Sequence, residues 1–266
     1  KPGFLKQFEL ANILFSAIGR SLRRLRLHLL RDEGRYGNYV LDSVMNLLRG
    51  RKDLRKMASA RYVTPFENIS NEAFFYFPLQ TEPEATLQIQ SPEFFSQLWA
   101  LALCAKAMPS DTYLAVKEHV YVIGRRPRDF YDQIVAFKNV ALLSIMLRGI
   151  EVIKKCKAVV TINGSSGYEA AMMGIPVIIL CKRCDYDFLD HVFHCPLGQG
   201  LEEAVQKIHD GRVNLQKARS DGARLRQTII DSSFCLGDFS MANREKITDE
   251  EISLAADHLI KTLMPG

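Results

Sequence analysis

The chain has 266 residues, of which 47% are hydrophobic and 24% charged. This is an ordinary globular balance, with length for one large domain or two small ones. The formal net charge of +5 suits a phosphate-bearing ligand or an anionic membrane surface and is too diffuse to argue for nucleic acid. No secretory leader is visible and no apolar run approaches a membrane span, which points to the cytoplasm. The start at Lys1-Pro2-Gly3, without methionine, points to a processed product or a piece of something longer.

Residues 5–59 read as helical. An apolar stripe passes through Leu22, Leu25 and Leu29, while Arg20, Arg23, Arg24 and Arg31 fall on another face. That basic face is either a solvated surface or a contact for an anionic membrane, peripheral at the inner membrane. The stretch from Gly34 to Gly37 breaks the pattern, a second helix follows near 40–59, and 60–72 is linker-like.

From Phe74 onward strands and helices alternate. "FFYFP" is an apolar run ended by Pro78, and Ser91-Pro92 supplies a cap and a first-turn proline for a helix reaching about residue 108. "TYLAVKEH" (112–119) reads as a strand, 126–137 as a helix and "NVALLS" (139–144) as a strand. A helix over 149–155, the strand "AVVTIN" (158–163), a short helix and the strand "PVIIL" (176–180) follow. Short apolar strands separated by helices imply a parallel sheet covered on both faces. The expected fold is α/β, a doubly wound parallel sheet of about five strands over 71–211. A helical segment and linker (1–70) precede it and C-terminal helices (212–266) follow. One helix spans 200–209, and "ITDEEISLAADHLIKTL" carries Thr248 and Glu251 at the spacing of a capping box.

The chemistry concentrates where these strands end. Gly164-Ser165-Ser166-Gly167 joins a strand to a helix with small residues, two hydroxyls and a set of first-turn peptide N–H groups. Helix N-termini attract anions, phosphate above all. Glu169 follows in the first turn, placed for a ribose hydroxyl or simply for the helix dipole. Ligands in parallel sheets bind outside the carboxyl ends of the strands, and three other groups share that position. Lys117 and His119 lie on one face of a strand, because side chains alternate. Glu118 points the other way, toward a basic partner. Gln80 and Glu84 follow the first strand as turn or cleft-edge residues, and Cys181 to Asp185 follows the last. Arg126, in Gly124-Arg125-Arg126-Pro127, is either an exposed loop residue or a phosphate contact.

Other chemistries find less support. Of the six cysteines, Cys181 and Cys184 have CxxC spacing, but no second pair completes a zinc site and no metal is expected. There is no GxSxG elbow, no GxxxxGK[ST] loop, no HExxH helix and no GxGxxG after a strand.

Taken in order, "YFPLQTEPEAT", "SPEFFSQLWALA", "LAVKEH", "GRRPRDFYDQI" and "VVTINGSSGYEAAMMGIPVI" resemble the capsule polysaccharide biosynthesis family of bacterial glycosyltransferases. That family includes transferases of the acidic sugar Kdo from CMP-Kdo. The resemblance implies a GT-B architecture, of which this chain is the C-terminal, nucleotide-sugar-binding half. It places the donor near Lys117, His119, Gly164, Ser165, Ser166 and Gly167, the ribose near Glu169, and Gln80, Glu84 and Arg126 at the cleft. The family's Lys-Glu-His-Pro motif carries Val120 in place of proline here. The implied reaction is sugar transfer to a glycan or glycolipid acceptor without a metal or other cofactor, its catalytic base not located in this chain. A non-catalytic nucleotide-sugar-binding module of a polysaccharide assembly complex and a nucleotide-sugar epimerase remain as alternatives.

Overall fold

The computed structural model describes residues 5–29, 39–82, 86–233 and 248–263. Two long helices come first, α1 (Leu10–Leu29) and α2 (Tyr39–Met57). The alternating part then runs β1 (Phe74–Pro78), α3 (Gln97–Ala107), β2 (Tyr113–Lys117), α4 (Phe130–Val135), β3 (Val140–Leu143), α5 (Gly149–Ile153), β4 (Ala158–Thr161), α6 (Ser165–Met172), β5 (Val177–Ile179) and β6 (Val192–His194). Helices α7 (Leu201–His209), α8 (Leu215–Asp231) and α9 (Asp249–Leu263) close the chain.

The strands form one six-stranded sheet in the order β3-β2-β1-β4-β5-β6, all neighbours parallel. Both faces of such a sheet are covered by crossover helices, so its strands must be apolar throughout rather than alternating. Phe74, Phe75 and Phe77 of β1, Leu114 and Val116 of β2, and all of Ala158–Thr161 are buried. Each fully buried Phe, Leu or Val side chain contributes about 1.5–3 kcal/mol of apolar burial.

The sequence pattern yields five strands, and the structure adds β6. Its three residues pair with β5, Val192 opposite Val177 and His194 opposite Ile179. A run this short, with a histidine at its end, carries too little period to stand out. Two helices also start later than their sequence signals. Ser91-Pro92 opens only a single 3₁₀ turn, and α3 begins at Gln97. The break is set by Gln97, whose side chain is captured by the backbone of Gln80: Gln80 N–H donates to Gln97 Oε1 at 2.7 Å and Gln97 Nε2 donates to Gln80 O at 3.0 Å. The helix expected from Arg126 begins at Phe130, because Arg126 and Pro127 belong to the loop after β2. Of the remaining expectations, Glu84, Arg31, the break at 34–37 and the side chains of Arg24, Leu25, Leu29 and Glu251 lie outside the described residues.

The N-terminal helices pack apart from the main core. Phe8, Ile13 and Leu47 form a small cluster with Val120, Ile123 and Ile145, so α1 and α2 sit on the segments that follow β2 and β3. Gly124 lies at this contact. Its φ of +82° and an ideal Cβ only 2.2 Å from Asn46 O exclude any side chain there. Its N–H donates to Asp53 Oδ2 of α2 at 3.1 Å. Among the described residues, no helix is long and apolar enough to cross a membrane.

Candidate ligand site at the strand-order reversal

After β1 the chain builds outward through β2 and β3, then returns to the other side of β1 to lay down β4, β5 and β6. The connections leaving the carboxyl ends of β1 and β4 therefore diverge, and a crevice opens between them, the usual ligand position in doubly wound sheets. A cavity of about 540 Å³ lies there.

One wall is the start of α6. Gly164 N–H donates to Thr161 Oγ1 at 2.9 Å, which fastens the turn to the end of β4. A Cβ on Gly164 would lie 2.9 Å from both Gln80 Nε2 and Thr161 Oγ1, so a side chain there would have to displace those groups. Ser165 and Ser166 then line the cavity, with Glu169 one turn on. Helix geometry leaves the first-turn N–H groups without intrahelical acceptors and with partial positive charge. Gly167 is different. It is buried against the sheet, where a Cβ would meet Tyr186 Oη at 2.6 Å and Thr161 Cγ2 at 2.7 Å. Its role is to seat α6 on the sheet, which corrects its placement among the ligand-facing residues.

The opposite wall comes from the ends of β1 and β2. Lys117 and His119 both line the cavity, as expected for residues two apart at a strand end. The His119 ring stands 5.4 Å from the Tyr121 ring. Gln80 is nine-tenths buried on the same wall, and its Oε1 has no hydrogen-bond partner among the described residues. A buried amide oxygen is normally satisfied by a protein group or an ordered water.

Arg126 takes neither role expected of it. It is 4% exposed and does not line the cavity. Its Nε donates to Glu118 Oε2 at 2.8 Å, and its Nη2 donates to Glu118 Oε1 at 2.9 Å and to Gln80 O at 2.7 Å. Nη1 stands 2.8 Å from a Glu82 carboxylate oxygen. Glu118 also accepts from Tyr131 Oη at 3.0 Å and from His119 N–H at 2.6 Å. The Glu118 carboxylate therefore meets a basic partner, as expected, although the residue also borders the cavity. Burial works against the charge on Arg126, but the Glu118 and Glu82 carboxylates beside it together outweigh burial and raise its pKa. Burial, followed by the same carboxylate, keeps the Tyr131 phenol protonated well above its ordinary value. Arg126 thus holds the backbone of Gln80 directly and that of His119 through Glu118.

Five cavity residues escape a sequence reading: Tyr76, Thr81, Gly149, Ile150 and Asn163. Tyr76 reaches the site from within β1, Gly149 opens α5 beside it with an ideal Cβ 3.4 Å from Tyr76 Oη, and Asn163 precedes the glycine turn. Burial raises the Tyr76 pKa, leaving its hydroxyl a donor. Asn163 Nδ2 donates to Gln90 Oε1 at 2.7 Å and borders a second cavity of about 560 Å³ that includes Lys182 and Arg183. The CxxC pair lies near it. Burial pushes the Cys181 thiol up to about 11 and raises that of Cys184. Among the described residues, no group of three or more His, Cys, Asp or Glu is placed to hold a metal.

Fold and crevice together define a doubly wound α/β protein with a cavity at its strand-order reversal, Ser165 and Ser166 at the start of α6 on one wall and Lys117 and His119 on the other. The family model for capsule polysaccharide biosynthesis proteins matches residues 34–188, more than half of the chain, and the protein belongs to that family. Nothing among curated proteins matches the sequence. Similar solved structures include a KpsC beta Kdo 2,7 transferase from Thermosulfurimonas dismutans, with 17% identity over 74% of this chain and 56% of that one at a TM-score of 0.39. A UDP-GlcNAc 2-epimerase from Neisseria meningitidis bound to UDP-GlcNAc shares 15% identity over 71% of this chain and 53% of that one, at a TM-score of 0.41. The glycosyltransferase SnogD from Streptomyces nogalater shares 12% identity over 75% and 47%, at a TM-score of 0.38. The chain spans about half the length of the solved proteins it matches.

Proposed function

We propose that this protein binds the nucleotide-sugar donor of a glycosyltransferase reaction in bacterial capsule or surface polysaccharide synthesis, with CMP-Kdo as the donor and a glycan or glycolipid as acceptor. The reading rests on one observation: a cavity at the β1/β4 crevice where the N-terminus of α6, Ser165, Ser166, Lys117 and His119 converge. Such a set suits a phosphate carrying negative charge. In sugar transfer the acceptor hydroxyl loses a proton as the glycosidic bond to the departing nucleotide breaks, and charge builds on the leaving phosphate. The share of these residues is to stabilise that charge through amide and hydroxyl donors and two basic side chains. In this reading Glu169, on the α6 wall, accepts from a ribose hydroxyl.

Calorimetric titration with CMP, UDP, GDP and CDP tests this directly. CMP binds wild type, and His119→Ala weakens it by about tenfold or more, about 1.4 kcal/mol. Binding of UDP or GDP without CMP would overturn the CMP-Kdo donor and favour an enzyme acting on another nucleotide sugar. Unchanged affinity in the variant would remove His119 from the site.

A further inference from the structure

The outer face of α1 is apolar in a way the fold does not use. Leu10, Leu14, Ile18 and Leu22 recur every four residues and are 52%, 63%, 58% and 61% exposed; Phe15 beside them is 75% exposed. At 3.6 residues per turn these five side chains cover an arc of roughly 140°. Ile13, on the other side, is 3% exposed and packs in the cluster with Phe8 and Leu47. The helix therefore has two apolar faces, one packed on the body of the protein and one turned to solvent.

Charge says what the second face suits. Helix α1 contains Arg20, Arg23, Arg24 and Arg26 and no Asp or Glu. Helix α2 adds Arg49, Arg51, Lys52, Arg55 and Lys56 against Asp42 and Asp53. The two helices thus carry nine basic and two acidic residues, while the whole chain has a net charge of +5. Everything outside them sums to two negative charges. The positive charge is gathered on the pair of helices that displays the apolar stripe. A helix 20 residues long, apolar along one edge and arginine-rich elsewhere, lies in the plane of a bilayer interface rather than across it. Basic side chains near such a surface are drawn to anionic headgroups.

We propose that α1 is a membrane-docking element: Leu10, Leu14, Phe15, Ile18 and Leu22 insert into the interface of an anionic phospholipid bilayer, with the exposed Arg23 of α1 and Arg49, Lys52 and Arg55 of α2 held at its headgroups. This does not depend on which nucleotide the crevice binds.

The test is sedimentation of the protein with vesicles of phosphatidylglycerol and phosphatidylcholine in roughly equal parts, against vesicles of phosphatidylcholine alone. Wild type sediments with the anionic vesicles and not with the neutral ones, and added salt weakens the partition. The double variant L14E/I18E, altered only at exposed positions, keeps its melting temperature and its nucleotide affinity but loses partitioning by about tenfold or more. Wild type that stays in the supernatant, or a variant that still sediments equally, would overturn the proposal. So would a wild-type dimer that L14E/I18E converts to monomer without any vesicle binding, since the stripe would then be an interface between two copies. Loss of nucleotide binding with vesicle binding intact would instead count against the crevice reading alone.

Discussion

The pair Glu118 and Arg126 sets up the most demanding test. Their side chains are 0% and 1% exposed, and two hydrogen bonds of 2.8 and 2.9 Å join them. Arg126→Met keeps the length and apolar stem of the side chain but leaves the Glu118 carboxylate sealed in the protein. Only the Tyr131 hydroxyl and the His119 N–H remain to solvate it. Removing one partner of a fully buried pair costs about 3–5 kcal/mol, chiefly because the other charge is left uncompensated. For a chain of this size that is a fall in melting temperature of roughly 6–20 °C. Glu118→Gln in the same background removes the stranded charge. The double variant should therefore lose less than the sum of the single variants, with a coupling of about 1–3 kcal/mol. Urea unfolding of all four proteins of the cycle, compared at constant m-value, reads this out. A single-variant cost under about 1 kcal/mol, or additivity within about 0.5 kcal/mol, would show that the pair is not the buried anchor the geometry describes.

Two smaller changes probe the neighbouring geometry. Gly164→Ala places a methyl group 2.9 Å from Gln80 Nε2 and Thr161 Oγ1; it should cost about 1–3 kcal/mol in urea unfolding and weaken nucleotide binding, and an alanine variant with wild-type affinity would refute the close approach. Asp53→Asn tests the sign of a pH effect. Burial raises the Asp53 pKa above 3.8, despite the N–H of Gly124 and the charge of Lys56 that lower it, so ionisation disfavours the folded state once the pH exceeds the folded pKa. The asparagine keeps an oxygen for the Gly124 N–H and removes that penalty. Its melting temperature should exceed wild type at pH 7, with the gap closing as the pH falls through the raised value toward 3.8, and a lower melting temperature at pH 7 would contradict this.

Much of the fold was legible because strands buried on both faces read as unbroken apolar runs. The sequence marks of β1, β2, β4 and β5 all carry this signature, and the Gly164 turn announces a strand-to-helix junction by composition alone. What stayed hidden depends on partners far apart in sequence. Nothing near Gln97 signals that its amide will clasp the backbone of Gln80, 17 positions earlier, and that bond decides where α3 starts. Arg126 sits in a Gly-Arg-Arg-Pro tract that has every local mark of an exposed basic loop. Its burial follows from Glu118, which strand alternation directs inward, and from Tyr131 on α4. Gly167 shows the opposite error. It shares a motif with Ser165 and Ser166, but two residues along a helix turn it by roughly 200°, away from the crevice and onto the sheet.

The segment from Glu118 to Arg126 connects the crevice to the N-terminal helices. At one end Glu118 and Arg126 tie it to Gln80 and to the amide of His119. In the middle Val120 and Ile123 are buried against Phe8 and Leu47, and Gly124 is bonded to Asp53. The cavity-lining histidine is thus carried on a loop pinned both to the sheet and to the helices that bear the apolar stripe. A loop held by hydrogen bonds at one end only would have to pay ordering entropy each time a ligand engaged it; one anchored at both ends presents His119 already in position. The two anchors differ in kind, a buried ion pair on the sheet side and apolar packing on the helix side. Loosening α1 and α2 should therefore reach the crevice through Val120 and Ile123 while leaving Arg126 in place.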